Sequence, residues 1–230
     1  NDMAATHLEW SLEEADPLLG ECLQRLPSTL TSLTLSAPLS APNTLLGCLG
    51  DLATRLQHLG LPHCQLSDSS SVNPLFQVPS LNLSGNLLSH LPTQTFTALT
   101  ALDLSGQVWD VHSLHHFLEL NPQITSLNIS HCQIDDIQVA KWKWPNLKEL
   151  DVSHNLLRQL PTSFTTLTSL QTLHMDGCVL ESLQVVCDLA KQGILERVVG
   201  TQSTELQALL DHNLSKSTTL KQLAAVLPDS

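Results

Sequence analysis

Leucine and its aliphatic relatives recur along the chain with a fixed internal spacing. Leu147, Leu150, Val152, Asn155 and Leu157 set the pattern: apolar, two residues, apolar, one, apolar, two, a polar Asn or Cys, one, apolar. Ile124, Leu127, Ile129, Cys132 and Ile134 repeat it, as do Leu170, Leu173, Met175, Cys178 and Leu180. So do Leu56, Leu59, Leu61, Cys64 and Leu66, and Val78, Leu81, Leu83, Asn86 and Leu88. Leu99, Leu102 and Leu104 open another copy, which Gln107 and Trp109 then break, and Leu30, Leu33 and Leu35 open one with Pro38 in the polar place. The second leucine falls at 33, 59, 81, 102, 127, 150 and 173, at intervals of 26, 22, 21, 25, 23 and 23. Weaker copies centre on Leu8 and Val198, each 25 residues beyond the series, and Leu220 and Leu223 open one more.

In each Leu-x-Leu the two leucines point one way and the middle residue the other, as on a short strand. A single copy cannot bury its leucines; stacked copies can, as parallel strands about 4.8 Å apart. The Asn or Cys after each strand turns inward, where it can bond backbone groups left over by the turn. The longer copies return through helical patterns: Leu19, Cys22, Leu23 and Leu26; Leu45, Leu49 and Leu52; Leu183, Val186 and Cys187; Leu206, Leu209 and Leu210. Asp110 caps a further helix presenting Leu114, Phe117 and Leu118, which ends before Pro122. The shorter returns look extended, with tight turns at Leu91-Pro92 and Leu160-Pro161, followed by Phe96 and Phe164. Ser67 to Ser71 reads as a surface loop.

Seven copies in register resemble the leucine-rich-repeat family over nearly the whole chain, most clearly from Leu30 to Leu183. The resemblance implies an α/β solenoid of horseshoe form, with a parallel sheet on the concave face and helices and extended turns on the convex one. It implies one domain over 1–230: an N-terminal cap and first rung at 1–29, core repeats at 30–183, and C-terminal helical repeats or cap at 184–230. It fixes an architecture and leaves the partner open.

Composition agrees with thin aliphatic layers: the chain is 42% hydrophobic, with only 4 Phe and no Tyr. The formal net charge of −12 opposes binding to nucleic acid or to an anionic membrane and suits a basic or mixed protein surface. No apolar stretch is long enough to span a bilayer. Of the six cysteines, Cys64, Cys132 and Cys178 take the inward polar place on rungs too far apart to bridge, so they read as free buried thiols. Cys22 and Cys48 share a phase on adjacent rungs and could pair; Cys187 has no evident partner. The absence of disulfide-rich caps and the helical returns resemble the intracellular members of the family, so the expected location is cytoplasmic, with a secreted or cell-surface location as the alternative. Asn-x-Ser sequons at Asn82, Asn128 and Asn213 argue for that alternative, although the first two lie on the face expected to bind.

That face is lined by the outward residue of each strand: Thr34, Gly60, Asn82, Asp103, Asn128, Asp151 and His174. Ser80, Ser126, Glu149 and Thr172 flank it on one side, and Ser84, Ser105, Ser130, Ser153 and Asp176 on the other. The candidate partner-binding set is Asn82, Asp103, Asn128, His131, Glu149, Asp151, His154, His174 and Asp176, though serine in these columns is also plain repeat consensus. His131 and His154 hold equivalent places on neighbouring rungs, and with Asp151 and His174 they carry zinc-type donor atoms. Paired histidines on a polar face are more often simply solvated, so no metal and no cofactor is assigned. In Lys141-Trp142-Lys143-Trp144, Trp144 has the phase of Leu167 one rung later and belongs in the core. Trp142 is a candidate convex contact, with packing against the rim as the duller alternative.

No P-loop, Gly-x-Gly-x-x-Gly, Gly-x-Ser-x-Gly, His-Glu-x-x-His or Cys-x-x-Cys occurs. His63-Cys64 and His131-Cys132 look like dyads, but alternation turns each Cys inward and each His outward. The expected function is therefore non-enzymatic: an intracellular scaffold or adaptor gripping a protein partner on its concave face. The alternative is the ectodomain of a secreted or cell-surface recognition receptor.

Overall fold

A computed structural model of the chain describes residues 6–11, 19–36, 42–68, 72–135, 144–182, 184–192, 195 and 197–200. The chain divides into two compact units, Asn1–Gln123 and Ile124–Ser230.

The first unit carries five parallel strands in chain order: β1 (His7–Ser11), β2 (Ser32–Ser36), β3 (His58–Gly60), β4 (Ser80–Asn82) and β5 (Ala101–Asp103). Their central leucines pair in register, Leu8 with Leu33, Leu59, Leu81 and Leu102 in turn. From Leu33 onward these central leucines are buried, so each strand adds one apolar layer to the next. The returns hold α1 (Leu19–Gln24), α2 (Pro42–Ala53) and α3 (Val111–Leu120). The helix stripes expected from the sequence point inward at Leu23, Leu49, Leu52, Leu114, Phe117 and Leu118. Asp110 caps α3 as expected, its side chain accepting from the His112 N–H at 3.1 Å. Phe76, Phe96 and Phe117, from three successive returns, pack with ring centroids 4.7 to 6.1 Å apart. Few rings are present, but these gather into one aromatic cluster behind the strands. Asn121, at the end of α3, is buried and ties the preceding return to the helix: it accepts from Phe96 N–H and donates to Gln94 and Phe117 carbonyls.

The second unit has four parallel strands, β6 (Ser126–Asn128), β7 (Glu149–Asp151), β8 (Thr172–His174) and β9 (Arg197–Val199), with Leu127, Leu150, Leu173 and Val198 in register. Helix α4 (Gln184–Lys191) follows β8 and buries Val185, Val186, Cys187 and Leu189. Trp144 is buried, as is Leu167 at the equivalent place one rung on, so the phase argument for Trp144 holds. Two short returns differ from the extended form expected: Asn73–Gln77 and Thr162–Thr166 each wind one 3₁₀ turn. Pro74 and Pro161 start those turns, and the turn drops Phe76 and Phe164 into the core. The helix expected at Leu206, Leu209 and Leu210, and the rung at Leu220 and Leu223, lie outside the described residues.

The inward polar residue holds the rungs together. The Asn86 carboxamide donates to the carbonyls of Leu61 and Leu83 and accepts from the Leu66 N–H. Asn155 donates to Ile129 and Val152 and accepts from Cys132 and Ile134. Gln107, taken from the sequence as a break in the pattern, does the same work with one more methylene: it donates to the Leu83 carbonyl at 2.7 Å and accepts from Leu88 N–H. Trp109 is likewise buried in the leucine place, its indole N–H donating to Leu104. Cysteine fills the same site more sparsely: the thiols of Cys64, Cys132 and Cys178 donate to the carbonyls of Leu35, Ser130 and Val152.

Candidate partner-binding surface

The outward column of the first unit runs Glu9, Thr34, Gly60, Asn82 and Asp103, and that of the second runs Asn128, Asp151, His174 and Val199. Four of the sequence candidates share a geometry that the spacing alone did not reveal. The Oδ1 atoms of Asn82, Asp103, Asn128 and Asp151 each accept from the backbone N–H two residues on, at Ser84, Ser105, Ser130 and Ser153, over 2.8 to 2.9 Å. These are Asx turns: the side chain steers the backbone out of the strand and is itself held still. In each unit these side chains are half-buried and pre-set, so they lose little freedom when a partner arrives. Gly60 is forced in the same column, because a Cβ there would lie 2.8 Å from the Thr34 hydroxyl.

Beside this column in the second unit, Glu149 is exposed and faces His174 at 3.6 Å, while its other oxygen accepts from Ser126 at 3.2 Å. Asp176 is exposed and turns its carboxylate onto the Gly177 N–H. Glu149, Asp151, His174 and Asp176 therefore form one contiguous polar patch. The flanking serines do not all face solvent: Ser130 and Ser153 are buried, and Ser153 accepts the Asp176 N–H.

His131 and His154 are displaced from the strand face where the sequence placed them. They sit four residues past the central leucines, in a turn where both backbones are left-handed (φ 55° and 54°). The same place holds His63, Gly85, Gly106 and Gly177, all with positive φ. The His131 and His154 rings stack at 4.3 Å and 17°, and the His154 ring covers Gly177 as the His63 ring covers Gly85. Stacked rings aim their in-plane nitrogens past each other, and among the described residues no group of three or more His, Cys, Asp or Glu could hold a metal. Trp142 lies outside the described residues.

A second histidine arrangement, on the strand face of the first unit, was missed. His7, Ser32, His58 and Ser80 pair in one row, with His7 Nδ1 2.7 Å from Ser32 Oγ and His58 Nδ1 3.0 Å from Ser80 Oγ. Burial, and secondly the charge of His7, lower the pKa of His58. The signal was in the register of the repeats, one residue before the outward column. Cys64 and Cys132 are buried while His63 and His131 are exposed, so neither pair forms a dyad. Cys22, Cys64, Cys132, Cys178 and Cys187 are reduced, and burial raises the pKa of Cys178. The side chain of Cys48 lies outside the described residues.

The repeat seen in register, strand by strand, matches a family model directly: residues 122–180 fit the leucine rich repeat. The chain has the fold of leucine-rich-repeat proteins. Bovine osteomodulin (Bos taurus) is 30% identical over 105 residues, 46% of this chain and 24% of osteomodulin. A chain in the crystal structure of the mouse RP105/MD-1 complex matches 85% of this chain and 38% of its own length, with a TM-score of 0.57 and 20% identity, which shows the shared fold. A leucine-rich-repeat protein of Leptospira interrogans covers 83% of this chain and 52% of that one, with a TM-score of 0.46 and 19% identity. The chain thus spans less than two thirds of each of these proteins. Among the described residues no helix is long and apolar enough to cross a membrane.

Proposed function

We propose that this leucine-rich-repeat chain is a recognition module that binds a protein partner on its strand face, and that it catalyses no reaction. The observation that carries the reading is the pair of Asx-locked columns, Asn82 and Asp103 in the first unit and Asn128 and Asp151 in the second, which present fixed polar groups from rigid strands. In the second unit the polar patch of Glu149, Asp151, His174 and Asp176 adds net negative charge, which suits a basic partner surface. The cleanest test changes charge and keeps geometry. Asp103→Asn with Asp151→Asn removes two charges, yet each asparagine can still accept the turn amide, as Asn82 and Asn128 do. A partner captured by wild type and identified by mass spectrometry should bind this variant at least about tenfold more weakly at equal thermal stability. Unchanged affinity would remove the strand face from the reading.

For the compartment, we propose the ectodomain of a secreted or cell-surface recognition receptor over an intracellular adaptor. The match to osteomodulin and the sequons at Asn82 and Asn128 support it. The adaptor reading keeps one observation in its favour, the reduced state of the five cysteines whose side chains are among the described residues. Expression through a secretory pathway, followed by glycan mapping and thiol titration, separates them: glycans on Asn82, Asn128 or Asn213 support the receptor, and a bare chain with six reactive thiols after denaturation supports the adaptor.

A further inference from the structure

Among the described residues, the exposed large hydrophobics are Leu87, Val108, Leu156 and Val179, at 62% to 81% exposure. Single exposed aliphatics are ordinary on any protein surface. These four are not scattered. Each stands six residues past a central leucine: Leu87 after Leu81, Val108 after Leu102, Leu156 after Leu150 and Val179 after Leu173. Within each unit the two lie on adjacent rungs, about 5 Å apart, on backbone pinned at both sides. Gly85 N–H bonds Ser105 and Asp110 N–H bonds Ser89 around the first pair; His154 N–H bonds Asp176 and Glu181 N–H bonds Arg158 around the second. The remaining described rungs place Gln65 and Gln133 at this position, so the fold accepts a polar residue there. The side chains are therefore exposed on the turn that follows each strand.

The surroundings of each pair are acidic. Asp110 flanks Leu87 and Val108, with the His90 ring 3.9 Å from its carboxylate. Asp135, Asp176 and Glu181 flank Leu156 and Val179, where Arg158 is held by Glu181 at 3.1 Å. With a formal charge of −12, a second copy of the chain would be repelled from the same face. We propose that each pair is a docking surface within its own unit, which takes a cationic protein segment presenting aliphatic side chains. In the first unit the aliphatic groups would cover Leu87 and Val108 and the basic groups meet Asp110; in the second they would cover Leu156 and Val179 and meet Asp135, Asp176 and Glu181.

The test uses the full chain and three labelled helical peptides of about 18 residues, or five turns: leucine with lysine, serine with lysine, and leucine with glutamate. Anisotropy titrations should show binding of the leucine–lysine peptide alone. Leu156→Gln with Val179→Gln, and Leu87→Gln with Val108→Gln, should each weaken binding at its own pair at least about tenfold, the factor that covering one aliphatic side chain supplies, and the variant with all four changes should lose binding at both. Thermal melts confirm the fold, and should either glutamine pair shift them, the near-isosteric Val108→Thr and Val179→Thr replace it. Equal binding of the serine–lysine peptide overturns the proposal, since net charge alone would then explain it. Binding of the leucine–glutamate peptide, no binding of the leucine–lysine peptide, or loss of binding in Asp103→Asn with Asp151→Asn but not in the stripe variants overturns it too. So does concentration-dependent self-association, or flotation with phosphatidylcholine vesicles, that the glutamine variants abolish.

Discussion

Replacing Asn155 by alanine removes four hydrogen bonds of 2.8 to 3.1 Å at once: those to the carbonyls of Ile129 and Val152, and those from the amides of Cys132 and Ile134. The residue is buried, so water does not readily take its place. At about 0.5–1.5 kcal/mol net for each bond, the loss sums to about 2–6 kcal/mol, a large share of the roughly 5–15 kcal/mol that holds a typical domain. Asn155→Cys should fall between alanine and wild type, because a thiol at this place recovers a single donor, as Cys178 does toward Val152. Urea unfolding followed by circular dichroism gives the three stabilities. A loss below about 1 kcal/mol for the alanine variant, or a cysteine variant no better than alanine, would refute the view that this carboxamide holds two rungs together.

Other expectations are checked as directly. Asp103→Ala should cost about 0.5–1.5 kcal/mol through its lost Asx turn, whereas Asp103→Asn should leave the melting curve unchanged. The folded pKa of His58 is lowered, so the unfolded chain takes up that proton first: stability holds above about pH 6.5 and falls as the pH drops below it, and His58→Gln should flatten this fall in melts between pH 7 and 5. Gly85→Ala meets a φ of 63° and a Cβ 2.2 Å from the His63 ring; His63→Ala should relieve the collision but leave the roughly 1–2 kcal/mol backbone cost, which a double-mutant cycle resolves. In the folded chain, exposed Cys22 should react with a thiol reagent well before Cys178, whose raised pKa and partial burial keep it protonated.

The strand positions, their register, the α3 cap and the burial of Trp144 were legible in the sequence because each follows from a period or a local bond. Gln107 was misjudged because consensus counts residue identity, while the turn needs only a carboxamide within reach of Leu83 and Leu88. The candidate surface was half legible. Alternation placed Asn82, Asp103, Asn128 and Asp151 correctly, but their second role as turn acceptors depends on backbone direction after the strand. His131 and His154 were misplaced for the same reason: they follow the strand in a left-handed turn, and the glycines at 85, 106 and 177 were the clue. The row His7, Ser32, His58, Ser80 needed two columns aligned at once. The apolar stripe fell in a position that the repeat consensus leaves unspecified.

The inward polar side chains give the stack a direction. Cys64, Asn86, Gln107, Asn155 and Cys178 each donate to a carbonyl of the rung before them, and Asn86, Gln107 and Asn155 also quench its turn amides. A rung emerging from the ribosome is therefore finished by its successor and not by itself. Either cut breaks the same bonds, but the orphans differ: backbone amides and carbonyls when the chain is shortened from its end, a side-chain carboxamide when it is shortened from its beginning. A replacement end-piece should therefore be required behind Asn86, Gln107 or Asn155, whereas at the front the polar part of the loss should be recovered by substituting the orphaned carboxamide.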